Sequence, residues 1–86
     1  MKTINFYTDP GHGWAAIEMH ELSALGIADK ISPYSYRKGN IAFLEEDCDF
    51  FIYMEAIKGQ PYEIKEHHTN GDSPIRAYAQ YRSKAQ

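Results

Sequence analysis

From Thr3 to Asp9 the chain alternates, with Ile4, Phe6 and Thr8 on one side and Asn5 and Tyr7 on the other. Period-two alternation belongs to a half-buried strand, so the pattern predicts a first strand here. DPGHG follows, in which Pro10 fixes φ and Gly11 and Gly13 are permissive, the composition of a tight turn. Trp14 to Met19 then reads as a second strand running back. Ala15, Ala16 and Glu18 are good helix formers, so a single helix over residues 15–25 competes with that strand. Between His20 and Ile27, Leu22 and Leu25 share a face, Gly26 stands where a left-handed terminus is wanted and Ile27 folds back, which predicts a short helix.

In the second half, YSYRKGNIAFLEE reads as two strands joined by a turn at residues 37–40, with Gly39 free to take positive φ. Asp47 has the character of an N-cap and Asp49 complements the helix dipole. Phe50, Met54 and Ile57 follow at spacings of four and three, and Gly59 closes the helix. PYEIKEHH alternates Tyr62, Ile64 and Glu66 against Glu63, Lys65 and His67, a last strand expected beside the hairpin. NGD is a turn, and Ser73 with Pro74 marks a helix start, so residues 75–81 are expected to form a final short helix before a tail, 82–86, that frays. The predicted class is α+β: one domain over residues 1–86, with a small, mainly antiparallel sheet of four to five strands packed by two or three short helices.

Composition narrows the function classes. Eighty-six residues give room for one core and argue against a large multistep active site. Seven tyrosines, four phenylalanines and Trp14 supply the aromatic bulk that a short chain needs. A net charge of −3 with no basic stripe removes the electrostatic basis for direct nucleic-acid binding. One cysteine cannot close an internal disulfide, no leader pattern is evident, and no apolar run approaches the ~20 residues of a membrane span. The expectation is a soluble, cytoplasmic protein.

The candidate chemistry starts at EEDCD, residues 45–49. A helix start lowers a thiol pKa, but Glu45, Glu46, Asp47 and Asp49 surround Cys48 with like charge, which opposes the thiolate. His67 or His68 could reach it as a base in space, yet no sequence signature pairs them. Cys48 is therefore expected to be structural, tucked against the sheet. A metal reading draws on Asp9, His12, His67 and His68 with one or more of Glu45, Glu46 and Asp47, a donor set suited to a divalent transition metal such as Zn. It requires distant segments to meet, and strand alternation sends adjacent His67 and His68 to opposite faces. Gly11 and Gly13 lack the rest of a phosphate-binding loop, and no serine sits in a nucleophile elbow. Arg76 can clamp a carboxylate or phosphate; the favoured alternative is a pair with the acids of 45–49 inside the fold. The same acids could form a contact face for a basic partner.

DPGHGW, LGIADKISPYSY, LEEDCD, HHTN and SPIR, in that order, resemble a family of small uncharacterised bacteriophage and prophage proteins. The resemblance spans residues 6 to about 81; at Ala15 and Ala16 this chain carries smaller residues than the family often has after the tryptophan. It implies a setting in the cytoplasm of an infected bacterium and no activity or cofactor. The expected function is that of a noncatalytic accessory protein that binds a host protein through Glu45, Glu46, Asp47, Asp49 and Arg76. A nucleic-acid-handling component of a defence system such as CRISPR is the expected kind of target. A small metal-dependent hydrolase or small-ligand binder using Asp9, His12 and His67 or His68 is the alternative. Tyr34, Tyr36, Tyr78 and Tyr81 suit a homodimer or a heterologous interface equally.

Overall fold

The computed structural model describes residues 1–84. Six strands form one sheet: β1 (Lys2–Thr8), β2 (Gly13–Glu18), β3 (Tyr36–Lys38), β4 (Ile41–Glu45), β5 (Tyr62–His68) and β6 (Ala79–Gln80). Their order is β5-β1-β2-β4-β3-β6, and every neighbouring pair is antiparallel except β1 with β5. With α1 (Met19–Ala24) and α2 (Phe50–Ala56) this is the α+β class that the pattern predicts, with one strand more than expected. No helix among the described residues is long and apolar enough to cross a membrane.

Register explains the core. Phe6, Ala15 and Leu44 stand opposite one another across β1, β2 and β4, and Ile17 faces Ala42. Directly paired residues share a sheet face, so these side chains form one apolar surface with Ile4. Leu22 of α1 and Tyr53 and Ile57 of α2 and its C-cap pack on it. Each such side chain contributes about 1.5–3 kcal/mol by leaving water. Pairing on both sides overrides the helix preference of Ala15 and Ala16, and Ala15 is fully buried where a larger residue would crowd the core. The tyrosine hydroxyl at the end of this core is satisfied: Tyr53 donates to Glu21, which Lys2 also engages, both at 2.6 Å.

α1 ends as its sequence requires. Gly26 takes φ +74°, its N–H donates to Ser23 O and that of Ile27 to Leu22 O, both at 3.0 Å. This doubly bonded left-handed terminus turns Ile27 into the core.

Three expectations are corrected. β5 does not return beside the hairpin; it lies at the far edge, parallel to β1. α2 carries the chain across one face of the sheet, and a crossover of that kind delivers a parallel strand where a hairpin would deliver an antiparallel one. The N-cap of α2 is Asp49, not Asp47, and its side chain does not cap. Only 2% exposed, its carboxylate accepts from Ser32 N (3.0 Å), Ser32 Oγ (2.7 Å) and Ser35 Oγ, tying the 32–35 loop to the helix start. The final helix is a single 3-10 turn, Pro74–Ala77, with Ser73 Oγ accepting from Ile75 N at 3.2 Å. Beyond it Tyr81 is buried, donating its N–H to Ser35 O and its hydroxyl to Ala28 O, so sheet pairing replaces helix. In the tail, Arg37 Nη1 donates to the carbonyls of Arg82 and Lys84; residues 85 and 86 lie outside the described residues.

Candidate functional site

The β1–β2 turn is built around Asp9. Its Oδ1 accepts from the backbone N–H groups of Gly11 and His12, both at 2.9 Å. Its Oδ2 accepts from Ser73 N at 2.9 Å and from Arg76 Nε at 2.6 Å, while Arg76 Nη2 adds a bond to Oδ1 at 2.9 Å. The Arg76 guanidinium first, then these N–H groups, hold the carboxyl far below the usual carboxylate range. Asp9 in turn raises Arg76 further. The turn glycines are required for room: neither takes positive φ. A Cβ at Gly11 would stand 2.8 Å from Arg76 Nη2, and one at Gly13 2.7 Å from the Phe6 ring.

This packing leaves a cleft of about 350 Å³ beside the turn. Trp14, 1% exposed, forms a wall, with Arg76 5.5 Å above its ring and Tyr36 edge-on at 6.2 Å. Tyr34, 73% exposed, stands on the rim. From the end of β4 comes Glu45, and from the loop after it Asp47 and Cys48. The loop is fixed by Glu46 N donating to Gly13 O at 3.0 Å and Asp47 N to Glu45 Oε2 at 3.0 Å. His12, Glu45 and Asp47 each present one donor atom within 4.8 Å of the others. The imidazole Nδ1 lies 3.7 Å from Glu45 Oε1. Trp14 Nε1 is buried and has no hydrogen-bond partner among the described residues.

The sequence candidates separate. Glu45, Asp47, His12 and Arg76 line one cleft. Asp49 is committed to Ser32 and Ser35. Glu46 is exposed, and its pKa is raised by burial of its carboxyl and then by Asp47 and Glu45. Arg76 pairs with Asp9, not with the acids of 45–49. β1 and β5 are neighbours, but His67 stacks on Tyr7 at 4.7 Å and contacts Asn5 Oδ1 at 3.0 Å, while His68 meets Thr8 Oγ1 at 2.9 Å. Neither histidine lines the cleft.

Cys48 is exposed and lies at the cleft, not tucked against the sheet. A hydrogen bond with Glu45, then desolvation, then the charges of Glu45, Asp49 and Asp47 push its thiol up, so the group offers little thiolate at neutral pH. Chemically the cleft sets two carboxylates and an imidazole beside the Arg76 guanidinium, with aromatic side chains around them. Trp14 is the lining residue that motif reasoning passes over, while Tyr34 and Tyr36 stand among the aromatics expected at an interface. The available signal is parity: Trp14 pairs with Glu45 across β2 and β4, which places the indole and that carboxylate on one face. Comparison of the chain with protein-family models, with curated proteins and with solved structures gives no match.

Proposed function

We propose that this protein acts by binding rather than by catalysis, and that its cleft receives a positively charged side chain of a partner protein. The observation that carries this reading is the convergence of His12, Glu45 and Asp47 in a cleft walled by Trp14, Tyr34 and Tyr36. A lysine or arginine entering there meets two carboxylates and aromatic faces, and cation–π contact adds about 0.5–2 kcal/mol to the charge pairing. Further support comes from sequence: every lining residue of the cleft falls in DPGHGW, LGIADKISPYSY, LEEDCD or SPIR, four of the five stretches that carry the resemblance to phage proteins. On that resemblance the partner is a host protein. A nucleic-acid-handling defence component fits, because such proteins hold phosphates with exposed lysines and arginines.

The test is retention of a near-equimolar partner from bacterial lysate by the immobilised protein. Asp47→Lys and Tyr34→Ala are expected to weaken retention on the order of tenfold or more with melting temperature unchanged, since both side chains are exposed. Equal retention by both variants removes the cleft from the interface.

A second reading is favoured by the same three donor atoms: one imidazole and two carboxylates suit a divalent transition metal such as Zn. Its expected signature is a zinc-dependent rise in melting temperature that His12→Ala abolishes. A wild-type melting curve unmoved by zinc rejects it.

A further inference from the structure

β5 is an edge strand, paired with β1 alone among the described residues. Its exposed side chains and free edge bear on a different question from the cleft. Tyr62 is 43% and Ile64 48% exposed, unusual values for large apolar residues within a sheet.

The backbone shows which groups on that edge are free. Lys2 N donates to Pro61 O at 3.4 Å, and Thr69 N to Thr8 O at 2.9 Å. A strand residue directs its N–H and C=O to the same side, and the side alternates along the chain. Odd-numbered residues of this segment therefore face β1, and Tyr62, Ile64 and Glu66 direct both backbone groups outward. Such an edge is a template for another strand.

We infer that the partner of this edge is a second copy of the chain, paired antiparallel about a two-fold axis at Ile64. A symmetric antiparallel pair must place a residue opposite itself. Centring on Glu63 or Lys65 sets like charges face to face, which is destabilising. Centring on Ile64 sets Ile64 against its copy, with both backbone bonds exchanged, and places each Glu63 opposite the other chain's Lys65. The two Ile64 side chains meet on the face that also carries Ile4, because Ile4 and Ile64 are register partners. The Lys65 side chain makes no hydrogen bond or ion pair among the described residues and is available for this contact. The sheet then runs through both molecules and leaves both clefts open, so the inference stands whether or not the cleft binds a partner.

The test is molar mass by sedimentation or light scattering over a concentration series up to millimolar. Wild type is expected to dimerise. Glu63→Lys alone and Lys65→Glu alone are each expected to raise the dimer dissociation constant on the order of tenfold or more, because each creates two like-charge pairs. Mixed in equal amounts, the two variants are expected to form a heterodimer, since each then supplies the charge the other lacks. Ile64→Pro is the complementary variant: it removes an outward N–H that β1 does not use, so the monomer folds and the dimer is lost. Far-ultraviolet circular dichroism confirms folding of each variant. A wild type that stays monomeric throughout overturns the inference, as does a dimer indifferent to the charge substitutions or a mixture that fails to associate.

Discussion

With Arg76 on one side and three backbone N–H groups on the other, the Asp9 carboxylate stays ionised far into the acid range. Its ordinary value is near 3.8 and the folded value lies lower, so the unfolded chain takes up the proton first. Stability from this group is fully present above the unfolded value and drains as the pH falls through the folded one. Asp9→Asn is expected to melt ~5 °C or more below wild type at neutral pH, with the gap narrowing as the pH is lowered below about 4. Thermal melts across that range decide it, and a gap that stays constant with pH counts against the ionic origin. Sequence reading picks out Asp9, Arg76, His12 and the acids and groups His12 with Glu45 and Asp47, but it misassigns the partners of Asp9 and Arg76, which pair with each other. Asp9 and Arg76 are 67 positions apart, and no local pattern encodes a pair of that separation. The chemistry of Cys48 was more legible than its location, because its acidic neighbours are adjacent in sequence while its exposure depends on how the loop after β4 folds.

At the scale of elements, the loop before α2 depends on buried polar contacts instead of a cap. Ser35 Oγ accepts from Glu45 N at 2.9 Å and donates to Asp49, which links the 32–35 loop, the end of β4 and the start of α2. Asp49→Ala leaves Ser32 N and Ser35 Oγ without their acceptor and is expected to cost about 2–4 kcal/mol in urea unfolding, with Asp49→Asn milder because one oxygen remains. A loss below about 1 kcal/mol for the alanine variant would show that water replaces the carboxylate. Most elements were visible in the pattern because periodicity and turn residues are local: β1, β2, the 36–45 hairpin and both helices appear where alternation, glycine and spacing place them. β6 was hidden. Two residues are too few to show alternation, and the Ser-Pro signal ahead of them starts a turn whose continuation is decided by the burial of Tyr81.

For the molecule as a whole, the class was readable while the placement of β5 was not, since strand order depends on which way α2 carries the chain. That placement leaves the cleft near the β1–β2 turn and the free edge on separate parts of the same sheet. The cleft takes its walls from residues 12–14, 34–36, 45–48 and 76, four segments brought together only by the finished sheet. A short synthetic fragment spanning any one of them carries a minority of the surface, so linear peptides would not reproduce the cleft, and an antibody raised against it would recognise the native conformation alone.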